Sequence, residues 1–340
     1  MKIIFDARVL THQAYTGVEN YTKQILDLLN IGVNLNIAKP KLTNKYFAHL
    51  WTHLVLPFKN GDLLFCPANI APIFVPKNKK LVLTLHDIAF ETYPNSFSAF
   101  FRLYYKFIIP INIKRADKII TVSKSSKCEI EKYYPFSKEK IEVIYLGANP
   151  IFKRLHIQKK KQILYVGSMN ERKNFSSVLK AYAMLNSNEY TLLMVGRFAS
   201  NFALDDATKV LIETAKSNPH IEFKSDVCND ELVKIYNESM LFIFPSFYEG
   251  FGLPVLEAMA CSTPVVCSDV TSLPEVGGDA VVYCNPHNLN DIVEKMEMVL
   301  SDEKLQQDMI EKGLKRVKQF TWEKAAQEHM KVFKEVLHQY

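Results

Sequence analysis

The chain is short of the features that mark secreted, membrane-spanning and nucleotide-redox proteins. It has six cysteines in 340 residues and no Cys-x-x-Cys pair, which suits a reducing compartment better than a disulfide scaffold. No stretch reaches the ~18 apolar residues of a bilayer span, and the segment from Met1 to Asp6 meets a charged residue too soon for a secretory signal. A cytoplasmic protein is expected. No Gly-x-Gly-x-x-Gly run occurs, which argues against a nicotinamide enzyme. The basic residues are dispersed and form no reading motif, so a nucleic-acid partner is not expected. No internal repeat or low-complexity run appears.

What is present is the composition of an ordinary globular protein, 48% hydrophobic and 23% charged. At 340 residues the chain exceeds the size at which single cores stop growing, so two domains are expected. Apolar runs alternate with helical patterns, the signal for βαβ units and parallel sheets. In the first half the strands are expected at Lys2–Phe5, Asp62–Cys66, Leu81–Leu85, Lys118–Val122 and Ile141–Tyr145. In the second half they are expected at Gln162–Val166, Thr191–Val195, Ile221–Phe223, Leu241–Phe244, Pro264–Cys267 and Ala280–Tyr283. The basic stretch Lys153–Lys161, preceded by Pro150, reads as the linker, dividing the chain into 1–153 and 154–320. A last amphipathic helix, about 321–340, has no partner near it in sequence.

The most informative run is Glu249-Gly-Phe-Gly-Leu-Pro-Val-Leu-Glu257, two carboxylates flanking a glycine-rich bend that follows the apolar strand Leu241–Phe244. A strand handing over to a helix there exposes unpaired amides, and Gly250 and Gly252 let a ligand approach the backbone at Phe251 and Leu253. A diphosphate fits such a bend. Glu257, about two turns further on, can accept hydrogen bonds from the vicinal hydroxyls of a ribose, and Glu249 can serve a sugar on the far phosphate. A helix entry with an acidic neighbour also occurs in many α/β proteins for purely structural reasons.

The run from Pro245 to Ala260 closely resembles the signature of the retaining nucleotide-sugar glycosyltransferases of family four. The resemblance implies an α/β fold of the GT-B class, two Rossmann-like domains facing each other across a deep cleft, with the donor held mainly by the second. It also implies that the last helix crosses back to the first domain. Thr16-Gly17-Val18-Glu19-Asn20-Tyr21 is similar to the family's glycine loop, with one glycine where relatives usually have two, and marks the Gly17 amide as a phosphate contact. His86-Asp87 ends an apolar strand where ligands of open sheets bind and matches the family's His-Asp position. On that likeness His86 stabilises the reacting sugar and is not a Brønsted base, because the leaving diphosphate itself helps deprotonate the acceptor hydroxyl. A lone His-Asp pair without the likeness is more often structural.

Breaking the glycosidic bond leaves extra negative charge on the diphosphate, which Glu171-Arg172-Lys173-Asn174 is placed to meet. At ~4 Å and an effective dielectric of ~20, one such cation is worth about 4 kcal/mol before desolvation. Lys173 matches the family's motif well; Ser168 stands where many relatives have a second phosphate-binding arginine, a role that falls to Arg172. Val227 within Asp226-Val227-Cys228, followed by Asp230-Glu231-Leu232, resembles the family's segment that lines the base pocket, and Arg197 follows Gly196 at another strand end as a further donor-side candidate. The pair His49 and His53 shares a helical face, but apolar neighbours favour packing over a metal. With no Asp-x-Asp pair present, no metal or other cofactor is expected.

The stretch Phe97–Lys118 interleaves aromatic and aliphatic residues with Arg102, Lys106, Lys114 and Arg115. It reads either as a buried helix with solvated cations or as peripheral contact with an anionic membrane, on its inner face, near a lipid-linked acceptor. The favoured function is a retaining hexosyltransferase acting on a saccharide or lipid-linked saccharide, with GDP-mannose as first choice of donor, because three motifs look most like mannosyl- and rhamnosyltransferases. A GT-B sugar-nucleotide epimerase and a non-catalytic nucleotide-sugar-binding protein are the alternatives.

Overall fold

The computed structural model describes residues 2–11, 17–31, 34–41, 45–185, 189–198 and 205–338. The chain divides into two units, one of Met1–Thr92, Ala99–Gly147 and Phe320–Tyr340, the other of Tyr93–Ser98 and Ala148–Gln319. Each is a Rossmann-like α/β unit with a six-stranded parallel sheet.

Unit 1 contains β1 (Lys2–Asp6), β2 (Asn34–Ala38), β3 (Leu63–Cys66), β4 (Lys80–Thr84), β5 (Lys118–Thr121) and β6 (Ile141–Val143), in the order β2-β1-β3-β4-β5-β6. Unit 2 contains β7 (Lys160–Val166), β8 (Thr191–Val195), β9 (Ile221–Lys224), β10 (Ser239–Phe244), β11 (Val265–Ser268) and β12 (Val282–Cys284), in the order β12-β11-β10-β7-β8-β9. Central strands such as β3 and β10 are buried along almost their whole length, as sheets covered on both faces by helices require.

Eleven of these twelve strands fall where apolar runs predict them. β2 does not, because Asn34 and Asn36 interrupt its apolar pattern; as an edge strand it is only partly buried and needs no continuous hydrophobic run. The expected linker also needs correction. Lys160 and Lys161 begin β7 with their side chains in solvent. Before them, Asn237 accepts from the Leu155 amide at 2.7 Å and donates to the Lys153 carbonyl at 3.0 Å, and Phe152 lies edge-on to Tyr236. Residues from Phe152 onward are therefore part of unit 2, and the passage between units falls at Gly147–Ala148. Gly147 belongs to unit 1, where a Cβ would come within 2.3 Å of the Trp322 amide nitrogen.

The last helix, Trp322–His338, packs into unit 1 through Trp322, Ala325, His329, Phe333 and Val336. Its His329 lies at the centre of a relay. Nδ1 donates to the Ala325 carbonyl at 2.7 Å, so Nε2 accepts from the Tyr21 hydroxyl at 2.6 Å, which in turn pairs with Thr84 Oγ1 at 2.8 Å. The aromatic stretch forms the helix Ala99–Arg115. Ile108, Ile109, Asn112 and Ile113 are buried, while Phe100, Leu103 and Phe107 are 74%, 72% and 61% exposed. That exposure goes against the reading of a buried helix with only its cations in solvent.

Candidate active site

In unit 2 the strand order reverses between β7 and β10, for the chain leaves β7 toward β8 and β9 and leaves β10 toward β11 and β12. The carboxyl ends at such a reversal are where open α/β sheets bind ligands. The segments leaving these two strands carry the motifs singled out above: Gly167 to Asn174 after β7, and Pro245 to Glu257 after β10.

The two segments are stitched together. Phe247 N donates to the Arg172 carbonyl at 2.9 Å, and Arg172 Nη1 donates to the Tyr248 carbonyl at 2.8 Å. Asn174, held in the left-handed region at φ 54°, donates from Nδ2 to the Pro245 and Pro286 carbonyls. Asn170 caps the short turn Glu171–Lys173 by accepting from the Lys173 amide at 3.0 Å. Between these anchors Lys173 Nζ donates to Glu249 Oε1 at 2.5 Å, with Arg172 Nη1 4.0 Å from Glu249 Oε2. Both pair members are largely buried, at 14% and 8% side-chain exposure. Lys173 Nζ also lies 5.1 Å from the centre of the Phe244 ring, a cation–π contact. Two cations and one carboxylate thus meet at the mouth of the reversal.

The loop that carries Glu249 is pinned from β11's side. Thr271 Oγ1 accepts from Glu249 N at 3.1 Å, and Ser272 Oγ donates to the Glu249 and Phe251 carbonyls at 2.9 and 2.8 Å. Gly252 has φ +111°, and a Cβ there would meet Leu273 Cδ2 at 2.5 Å, so this glycine is required by the fold. The helix Leu253–Ala260 then opens with its amides beside Gly250 and Phe251. On that helix Glu257 Oε2 accepts from the Tyr236 hydroxyl at 3.1 Å. Burial pushes the Glu257 carboxyl up to about 7, against the pull of that hydrogen bond. Tyr236, Thr271 and Ser272 had no signal in the sequence, since each acts on a residue far along the chain, whereas Asn174 closed the motif already singled out.

Of the remaining donor-side candidates, Ser168 is exposed and accepts from Asn170 Nδ2 at 2.9 Å. Arg197 forms an exposed ion pair with Asp226, beside the half-buried Val227. The β7 and β8 ends approach closely at Gly196, where a Cβ would overlap the Gly167 carbonyl oxygen at 1.9 Å.

In unit 1 the order reverses between β1 and β3. His86, 7% exposed, follows β4; its Nε2 lies 2.9 Å from the Pro67 carbonyl, which can only accept, so Nε2 carries the proton and Nδ1 is left as an acceptor. Its amide donates to Asn69 Oδ1 at 2.9 Å, and its ring meets Tyr21 edge-on at 4.7 Å. Burial lowers the His86 pKa, with the Pro67 carbonyl, Asp87 and Glu19 opposing. Asp87 Oδ1 accepts from the Ala89 amide at 2.9 Å and so caps the short helix that follows.

The loop that holds His86 is itself held by a buried arginine that the sequence reading missed. Arg8 Nη1 donates to the Ile70 carbonyl at 3.0 Å and Nη2 to the Ala68 carbonyl at 2.9 Å, while Asp6 pairs with the same guanidinium. Asp6-Ala7-Arg8, which closes β1 and leaves it at the reversal of the sheet, was the signal available. Gly17 opens the helix Gly17–Leu29, is exposed, and has no described atom within 4 Å of where a Cβ would stand. Thr16 lies outside the described residues. His53 donates from Nε2 to Tyr104 at 2.9 Å and accepts from the Ile73 amide at Nδ1, with the His49 ring edge-on to Tyr104.

Comparison with known proteins agrees with this architecture. A family model described as Glycosyl transferases group 1 matches residues 149–316, and one described as Glycosyltransferase Family 4 matches residues 36–151. The O-antigen chain mannosyltransferase B of Escherichia coli is 31% identical over 271 residues, covering 75% of this chain and 70% of that protein. The O-antigen chain mannosyltransferase RfbU of Salmonella typhimurium is 30% identical over 251 residues, covering 73% and 67%. Among solved structures, the sucrose-phosphate synthase of Thermosynechococcus elongatus shares the fold with a TM-score of 0.78 at 18% identity, covering 99% of both chains. Anabaena HepE, solved with UDP and glucose, has a TM-score of 0.75 at 16% identity and covers 98% of this chain and 100% of its own. With two parallel-sheet units of the GT-B type, and with the paired motifs at the sheet reversal of the second, the chain belongs to the family 4 glycosyltransferases.

Proposed function

We propose that this glycosyltransferase moves a hexosyl residue, mannose in first place, from a nucleotide-sugar donor to a saccharide or lipid-linked saccharide acceptor in surface-polysaccharide synthesis. The observation that carries the reading is the meeting of Lys173, Arg172 and Glu249 at the sheet reversal of unit 2, directly before the amide-rich entry to the helix that bears Glu257. The diphosphate lies at that helix entry, over the Gly250, Phe251, Gly252 and Leu253 backbone, and Glu257 takes the ribose hydroxyls. Arg197 and Val227 border the base. Lys173 and Arg172 meet the charge that grows on the leaving diphosphate. Glu249 accepts from the transferred sugar's hydroxyls.

In unit 1 we assign the Gly17 amide to phosphate and the free Nδ1 of His86 to a sugar hydroxyl. Neither sterics nor backbone angle accounts for a glycine at 17 among the described residues. Asp87, already spent on capping, keeps one oxygen for orientation. In the transfer the bond between sugar C1 and diphosphate oxygen breaks, the acceptor hydroxyl's proton passes to the departing phosphate oxygen, and the new C1–O bond forms on the same face. The configuration is retained and no divalent metal is required, since the protein supplies the cations. Mannose is favoured by the names of the relatives at about 30% identity, and its GDP donor by the motif likeness alone. The protein works at the inner face of the membrane as a peripheral enzyme.

A thermal-shift panel of GDP, UDP and dTDP tests the donor. Stabilisation by GDP alone, followed by transfer of labelled mannose from GDP-mannose, is the expected result. Selective stabilisation by UDP or dTDP overturns the donor assignment, and an epimerised donor without transfer overturns the reaction.

A further inference from the structure

Two helices of unit 1 present apolar side chains to solvent where a globular surface is normally polar. On Ala99–Arg115 the exposed residues Phe100, Leu103 and Phe107 follow the three-and-four spacing of a single stripe, with Lys106 and Lys114 exposed beside them. On Lys45–Leu54 the exposed residues Phe47, Leu50 and Leu54 repeat that spacing, at 54%, 53% and 61% exposure, and Phe58 follows at 69%. The two helices are neighbours: His53 on the second donates to Tyr104 on the first, and its Nδ1 reaches the Ile73 amide, next to the exposed Phe74. Single exposed apolar residues are ordinary, but a cluster of this size marks an interaction site.

Charge decides the partner. Unit 1 carries 23 Lys and Arg against 14 Asp and Glu, a formal +9, whereas unit 2 carries 19 against 22, a formal −3. The helix Ala99–Arg115 has four cations and no acidic residue of its own; Lys106 meets Glu91 at 3.0 Å and stays half exposed. We infer that this face of unit 1 lies in the plane of an anionic lipid bilayer, with the Phe and Leu side chains in the headgroup–acyl boundary and the lysines on lipid phosphates. A like-charged second copy of the same face would bring the unit's positive excess against itself. The inference rests on the peripheral placement proposed above and not on the transfer reaction.

The test is sedimentation of the purified full chain with vesicles of phosphatidylcholine alone or mixed with phosphatidylglycerol. The chain should pellet with the anionic vesicles, and less so at high salt. Replacing Phe100, Leu103 and Phe107 together by Ser should lower the bound fraction about tenfold or more, with no loss of melting temperature because these side chains are already exposed. Lys106→Glu with Lys114→Glu should remove only the preference for anionic lipid. Failure of the parent chain to bind either vesicle, or equal binding by the triple variant, overturns the inference. So does self-association that the triple variant abolishes without any vesicle binding, which would identify a second copy as the occupant. A chain that binds vesicles but transfers no sugar refutes the transfer reading alone.

Discussion

At the scale of single residues, Lys173 and Glu249 are each other's partner, so truncating one has two consequences. On the proposed chemistry Lys173→Ala removes charge from the leaving group, and it also leaves Glu249 buried beside Arg172 alone at 4.0 Å. Breaking such a pair costs about 3–5 kcal/mol of stability. The double variant Lys173→Met with Glu249→Gln removes that penalty, and we predict that it melts near the parent protein yet turns over at least about a hundredfold more slowly. Recovery of turnover in the double variant would show that Lys173 serves only the pair. Glu257 makes a different prediction. Its carboxyl titrates near 7 rather than 4.5, so between these values the folded protein holds a proton that the unfolded chain has released, and stability contributed by this group is lost as pH rises through 7. A ribose diol favours the ionised form, so nucleotide binding should tighten as pH rises from 6 toward 8 and release a proton near pH 7. Calorimetry in two buffers of different ionisation enthalpy measures that release. Glu257→Gln should abolish it, and Glu257→Ala should weaken nucleotide binding by about 1–3 kcal/mol.

At the scale of elements, the loop between β3 and β4 owes its shape to Arg8. With two carbonyls of that loop on its guanidinium, and with Pro67 and Asn69 of the same loop on His86, the imidazole is positioned through a chain of hydrogen bonds that starts at Asp6. Arg8→Lys keeps the charge but loses the fork that spans two carbonyls. It should lower kcat while leaving the nucleotide-induced melting shift intact; a loss confined to nucleotide affinity would refute the link to His86. The last helix carries its own pH dependence. Burial lowers His329 to about 4, with its Nε2 already accepting from Tyr21, so the unfolded chain protonates near 6.5 while the fold resists until much lower pH. Its contribution, roughly 3 kcal/mol, is present above pH 6.5 and is lost as pH falls through 4. Chemical denaturation from pH 7 to 4 should show this loss, and His329→Gln should flatten it.

At the scale of the whole molecule, the proposed chemistry is stereochemical. On the proposed reading cations and a helix end meet the leaving diphosphate, while the two carboxylates of the motif are engaged, Glu249 with Lys173 and Glu257 with Tyr236, so neither is set out as a free general base for inversion. An α-linked product from an α-linked donor, followed by proton NMR in the presence of chelator, is the expected outcome. A β-linked product would overturn retention. Strict dependence on magnesium or manganese would overturn only the roles given to Arg172 and Lys173.

Much of this architecture is local and could therefore be read along the chain. Alternating strands and helices, the strand-to-helix bend at Gly250 and Gly252, and the strand ends at His86 and Lys173 each depend on neighbours a few residues away, whose periodicity and backbone requirements are written in order. Tertiary structure alone decided what depends on distant pairs. Lys173 and Glu249 stand 76 residues apart, Arg8 and Ala68 60 apart, and Tyr236 and Glu257 21 apart on separate helices. No periodicity links such positions, because only the register of parallel strands brings their loops to one edge of a sheet. The same limit hid β2, whose polar residues are tolerated only because it is an edge. It also left the two readings of Ala99–Arg115 undecided, since which stripe of a helix with apolar residues on every side is buried is settled by what it packs on.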